Sequence, residues 1–175
     1  MTQILYRTAE LTPGDGRTVY GLAVPFGQVA TVSDAGGRPY REMFERGSFR
    51  RTIAERGNKV RLLIGHDHRR LPIGKATALE ERADGLYCEF YVSRTSAGDD
   101  ALIAVRDGLA GGFSVGFAGI REHWDGDVLV RTEVALREVS VTEFPAYSGA
   151  AISGVRHNST TISRQFAELW LLAHQ

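Results

Sequence analysis

Between Gly108 and Phe117 the chain reads Gly-Leu-Ala-Gly-Gly-Phe-Ser-Val-Gly-Phe, and no other run constrains the fold as much. Phe113, Val115 and Phe117 alternate with Ser114 and Gly116, a period of two that makes a strand with one bulky apolar face and one almost bare face. The aromatic side must be buried against a core, while the bare side lets another segment approach closely. The single hydroxyl on that bare side, Ser114, is either a hydrogen-bonded serine in a close-packed sheet or a nucleophile within reach of a carbonyl. It is a nucleophile only with a base beside it.

The remaining segments supply a sheet for this strand to join. Residues 2–11 and 17–26 read as two short strands joined by the turn Pro13-Gly14-Asp15-Gly16, and 27–40 as a polar, glycine-rich surface loop. Arg41 to Phe49 leads into a short helix near 48–56, with Ser48 as N-cap, Gly57-Asn58 as the stop, and Phe49 and Ile53 facing inward. Val60 to His66 is a β-leaning run that delivers His66 to its end. Pro72–Glu80 and Gly85–Arg94 are two further strands around a polar hairpin loop. Residues 97–108 form an amphipathic helix, with Asp99 and Asp100 in its first turn and Leu102, Val105 and Leu109 on its inner face. After Ile120 comes a polar hairpin tip, 122–127, and then a long strand from Val128 to Phe144 that Pro145 stops.

Seven or more short strands with two or three helices, many adjacent in sequence, predict an α+β domain. It is β-rich, with an antiparallel, barrel-like sheet flanked by a few helices. The expected division is a domain over 1–155, a linker over 156–161 and a C-terminal amphipathic helix over 162–175. That helix places Ile162, Phe166, Leu169, Trp170 and Ala173 on one face, to pack on its own domain or on a second copy.

Composition narrows the partners. Lys+Arg and Asp+Glu both total 21 among 175 residues, so no global positive field argues for nucleic acid or an acidic membrane. No apolar run approaches the roughly 20 residues of a membrane span, and no signal peptide opens the sequence, which predicts a cytoplasmic setting. The single cysteine, Cys88, shares a strand face with Leu86, Phe90 and Val92 and reads as core packing, without a disulfide or a multi-cysteine metal site.

A base for Ser114 must come from five histidines. His123, His157 and His174 fall in a loop tip, a linker and the terminus, whereas His66 ends an apolar strand beside Gly65, where it is both held and accessible. An imidazole takes the serine proton and returns it to a leaving amine, provided a partner fixes its tautomer. Glu138, in Leu136-Arg137-Glu138-Val139-Ser140-Val141, is a carboxylate inside an apolar strand, where a buried charge must be paired. Its partner is His66 or one of the many arginines, and Glu143, near the strand end, is the alternative orienter. His66 and His68 also stand at i, i+2 as two metal ligands would, but chain-local carboxylate or cysteine support at ligand spacing is missing, so neither metal nor cofactor is expected.

From about Tyr20 to Ala151 the sequence resembles the prohead (capsid maturation) serine proteases of tailed bacteriophages, relatives of the herpesvirus assemblin proteases. The resemblance rests on Gly21-Leu22-Ala23-Val24-Pro25-Phe26, Glu45-Arg46-Gly47-Ser48-Phe49, Leu63-Ile64-Gly65-His66-Asp67 and Pro72-Ile73-Gly74-Lys75. Asp84-Gly85-Leu86, Gly112-Phe113-Ser114-Val115-Gly116-Phe117 and the run from Glu138 to Ala146 complete it, in this order and spacing. Departures lie at Glu45-Arg46-Gly47, where the family often has a proline before the glycine, and at Ala146-Tyr147, where an asparagine is common. The resemblance implies a herpesvirus-protease-like β-barrel and a serine endopeptidase with Ser114 as nucleophile, His66 as general base and Glu138 in the place of the third residue. The implied substrates are scaffolding protein or a scaffolding segment of the major capsid protein, and the enzyme itself, as a possible homo-dimer or oligomer. The implied setting is the assembling procapsid in the bacterial host cytoplasm. The competing readings are a non-catalytic capsid- or scaffold-binding assembly module and a metal-dependent hydrolase using His66 and His68.

Overall fold

The computed structural model describes residues 16–33 and 37–156. Nine strands form one curled sheet: β1 (Thr18–Pro25), β2 (Ala30–Val32), β3 (Tyr40–Phe44), β4 (Arg61–Ile64), β5 (Gly74–Glu81), β6 (Gly85–Val92), β7 (Gly112–Asp125), β8 (Val128–Thr142) and β9 (Ala151–Arg156). Two helices, α1 (Arg50–Arg56) and α2 (Ser96–Arg106), complete the described chain. The sheet runs β2-β3-β8-β4-β5-β6-β1-β9, with β7 on the other edge of β8.

The expected β-rich α+β architecture is present, with one difference in strand direction. β8 carries two parallel neighbours on one edge, β3 along Val128–Arg131 and β4 along Glu138–Val141. Between them no strand runs, and α1 fills the gap. Thr52 Oγ1 donates to the Val134 carbonyl at 3.1 Å and accepts the Leu136 N–H at 3.0 Å, while the Ser48 carbonyl accepts the Val134 N–H at 2.9 Å. Helix α1 thus satisfies the backbone groups that a missing strand would leave unpaired.

The curl closes around an aromatic centre. Phe44 is fully buried and meets Phe49, Phe117 and Tyr147 at ring centroid distances of 5.3, 5.1 and 5.7 Å. A parallel bridge from Phe26 to Phe44 brings the end of β1 against β3. Cys88 is buried in the core, where burial raises its thiol pKa, as the packing role requires.

Several local expectations change. Ser48 does not cap α1: it is buried with its hydroxyl donating to the Glu45 carbonyl at 2.7 Å, and Phe49 occupies the cap position. Helix α1 does end at Arg56 with Gly57 as its C-cap, as expected, and a short 3₁₀ turn, Gly57–Lys59, follows it. The predicted loop 27–40 contains β2, and residues 40–44 form β3 instead of a lead-in to the helix. Helix α2 is capped by Thr95, which accepts the Gly98 N–H, and ends before Leu109, which is exposed. The hairpin tip shrinks to Gly126-Asp127 because β7 continues through His123 to Asp125, and β8 ends at Thr142. Arg156, assigned above to a linker, lies in β9 opposite Thr18. The first predicted strand and the C-terminal helix lie outside the described residues.

Candidate active site

The site begins with the β7/β8 ladder. Phe113, Val115 and Phe117 pair with Val141, Val139 and Leu136, so the bulky faces of both strands coincide and enter the core. On the opposite face Ser114 stands against Ser140, and Gly116 against Glu138. The register steps three times along the ladder, and the step beside the site lies between Gly116 and Phe117, where the partner moves from Glu138 to Leu136 and Arg137 becomes an extra, exposed residue. This bulge reverses the strand's parity. Without it, Glu138 would share the face of Leu136 and point into the core; with it, the carboxylate turns to the face of Ser114.

His66 arrives from the other edge of β8. β4 ends at Ile64, and Gly65 and His66 follow with φ of 54° and 59°, closed by the Asp67 N–H on the Ile64 carbonyl at 3.1 Å. Two successive left-handed residues in a hydrogen-bonded four-residue turn match the type I′ pattern. His66 is the one described non-glycine residue with positive φ, a conformation that costs on the order of 1–3 kcal/mol and must be held from outside. Two bonds to β8 hold it: Gly65 N–H on the Val141 carbonyl at 3.0 Å, and His66 N–H on Ser140 Oγ at 2.9 Å.

The turn points the imidazole between the serine and the carboxylate. His66 Nε2 lies 2.8 Å from Ser114 Oγ, and Nδ1 lies 2.5 Å from Glu138 Oε1. With the proton on Nδ1, the ring donates to Glu138 and accepts from the Ser114 hydroxyl. The other carboxylate oxygen, Oε2, accepts from Ser140 Oγ at 2.8 Å. Glu138 is 3% exposed, so its charge is answered by these two donors and not by an arginine. The hydrogen bond to Glu138 raises the His66 pKa above its usual 6.5, against the opposing effect of partial burial. Gly116 leaves room for this arrangement, since a Cβ there would collide with Glu138 Oε1.

Other candidates fall elsewhere. Glu143 is exposed beyond the end of β8, and His68 is exposed in the turn after His66. His123 is an exposed strand residue, not part of a loop tip; His157 and His174 lie outside the described residues. Two contributors were not singled out from the sequence, Ser140 and Gly116. Both carry a signal: Ser140 is two positions from Glu138 and so shares its face, and Gly116 stands in the same relation to Ser114.

Beside Ser114 opens a cavity of about 190 Å3, walled by Ala23, Val32, Phe113, Val115, Phe117 and Ala146. Glu42, Tyr40 and Tyr147 close its polar end. Glu42 accepts from the Tyr147 hydroxyl at 2.9 Å and from Arg131 Nε at 2.7 Å, and Arg131 also pairs with Glu122. Burial, with Glu42 adding to it, pushes the Tyr147 phenol far up, so it remains a donor. The segment after β8 lies across the start of β7, where a Cβ on Gly112 would sit 2.7 Å from Pro145 Cγ.

The family model described as caudovirus prohead serine protease matches residues 4–165. The chain belongs to that family. It is therefore a peptidase of phage capsid maturation. The prohead protease of Enterobacteria phage HK97 is 28% identical over 163 residues, covering 90% of this chain and 69% of that protein. Two solved structures are also similar. The KSHV protease in complex with a hexapeptide phosphonate inhibitor has a TM-score of 0.46 at 11% identity, over 89% of this prohead protease and 74% of that chain. The bacteriophage T4 capsid assembly protease, gp21, has a TM-score of 0.43 at 11% identity, over 73% and 99% respectively. No helix among the described residues is long and apolar enough to cross a membrane.

Proposed function

We propose that this prohead protease is a serine endopeptidase in which Ser114 is the nucleophile, His66 the general base and Glu138 the group that orients and charges the imidazole. The observation that carries the reading is the unbroken relay from Ser114 Oγ through both ring nitrogens of His66 to Glu138. Ser114 Oγ bonds to the carbonyl carbon of the scissile peptide as its proton passes to Nε2. The imidazolium so formed is stabilised by Glu138 and returns the proton to the leaving amine. Water then hydrolyses the acyl-enzyme by the same route in reverse order. Backbone N–H groups receive the oxyanion, with the Val115 amide and that of Ala146, in the segment Phe144-Pro145-Ala146, as candidates. The cavity between Ser114 and Glu42 accepts a substrate side chain flanking the cleaved bond.

The substrates on this reading are the scaffolding protein or a scaffolding segment of the major capsid protein, and the protease itself, inside the assembling procapsid. Family membership supports the class, and the HK97 relative is named a prohead protease. Co-expression with the capsid and scaffolding proteins encoded beside it, read by intact mass, tests this. Wild type shortens its partners and itself, while Ser114→Ala and His66→Ala leave every chain at full length. Loss of the nucleophile is expected to cost on the order of 10⁶-fold in turnover. Cleavage persisting in Ser114→Ala overturns the serine mechanism and returns attention to a metal at His66 and His68. Normal shells without cleavage in any version point to a binding module.

A further inference from the structure

We propose that Ser140 is a positioning residue for the relay, acting on His66 and Glu138 through a single hydroxyl; the inference rests on the serine-protease reading above. Ser140 is fully buried, directly across the ladder from Ser114. Its oxygen accepts the backbone N–H of His66 at 2.9 Å and its proton goes to Glu138 Oε2 at 2.8 Å. Each bond answers a separate problem. The left-handed His66 needs an external tether, and the first bond is the one made by that residue's own amide. Glu138 has two equivalent oxygens and a flexible stem, and the second bond engages one oxygen so that the other faces Nδ1.

Both bonds depend on one proton having one direction. Because the Ser140 proton is given to the carboxylate, its lone pairs are free for the His66 amide, and the turn and the carboxylate become a single hydrogen-bonded ring. The ring joins the two ends of the acid–base pair to the same strand position. Displacing the imidazole by an ångström disrupts its contact with Ser114 Oγ, and errors of that size cost about 10²-fold in rate. The residue never touches substrate in this arrangement.

The test uses the full chain and needs no knowledge of the natural cleavage site. Diisopropyl fluorophosphate forms a phosphorus–oxygen bond at an activated serine, fluoride leaving as the serine proton passes to the base, and intact mass records the adduct. Ser140→Ala is expected to slow labelling of Ser114 by about 10²-fold, whereas Ser140→Thr, which keeps the hydroxyl, stays within a few-fold of wild type. The proton NMR signal of His66 Nδ1–H, shifted far downfield by a 2.5 Å bond, is expected to move upfield or broaden in Ser140→Ala and to be retained in Ser140→Thr. If Ser140→Ala does not fold, Ser140→Cys replaces it, filling a similar space with a poor donor. Labelling of Ser140→Ala at the wild-type rate overturns the proposal, as does equal slowing in the alanine and threonine variants with the Nδ1 signal unmoved. Ser114→Ala is the control: absence of labelling in wild type, or labelling that survives Ser114→Ala, is a failure of the serine-protease reading and not of Ser140.

Discussion

On the serine-protease reading proposed above, Glu138 sets the working pH of His66, and the sign follows from the hydrogen bond between them. The bond raises the imidazole pKa above 6.5 while burial lowers it. A general base works when neutral, so the acidic limb of the rate profile lies above 6.5 in wild type. Glu138→Gln removes the raising contribution and leaves burial, so the limb moves to lower pH while turnover falls on the order of 10⁴-fold. A profile of kcat/KM against pH for both proteins checks this, and a limb that stays or moves upward contradicts the assignment. The residues Ser114 and His66 were legible because each is the one polar group ending or interrupting an apolar run. Glu138 was legible only as a charge needing a partner, since nothing local distinguishes His66 from an arginine as that partner.

At the scale of elements, the bulge at Arg137 decides which way Glu138 points. Arg137 is exposed, and replacing its side chain by alanine is expected to change stability by within about 0.5 kcal/mol and leave activity intact. Deleting the residue restores strict alternation and returns Glu138 to the core face, with loss of cleavage and of stability. Thermal unfolding and serine labelling of both variants distinguish the two cases; an active deletion variant shows that the bulge is dispensable. Sequence alternation found β6, β7 and β8, because each has several bulky residues at period two, while β5 was placed by the polar hairpin loop that joins it to β6. It missed the reversal within β8, since Leu136 and Glu138 have the same parity in sequence and opposite faces in the fold. It also missed β2, β3 and β9. β2 has only three residues, and β3 and β9 draw their stability from neighbours distant in sequence, which a local pattern does not contain. The parallel pairing of β8 with β3 and β4 is long-range in the same way.

For the whole molecule, the His66 pKa links folding to acidity. A group whose pKa is raised on folding contributes stability that is fully present below its unfolded value, near 6.5, and lost as pH rises through its folded value. Unfolding temperatures in a Ser114→Ala background are therefore expected to fall between those values, and the fall is smaller when His66 is also replaced by alanine. An identical pH dependence in both proteins contradicts the linkage. The protease is then held most firmly by this pair where its base is charged and idle. The distribution of labour over the sheet has a longer consequence. β4, β7 and β8 bring together the relay, while Ala23 of β1, Val32 of β2 and Tyr40 and Glu42 of β3 furnish much of the cavity beside it. On the proposed reading β7 serves both reaction and recognition, but the walls from β1, β2 and β3 carry no relay residue, so a lineage of such enzymes is free to change what it cuts at those walls without relearning how to cut.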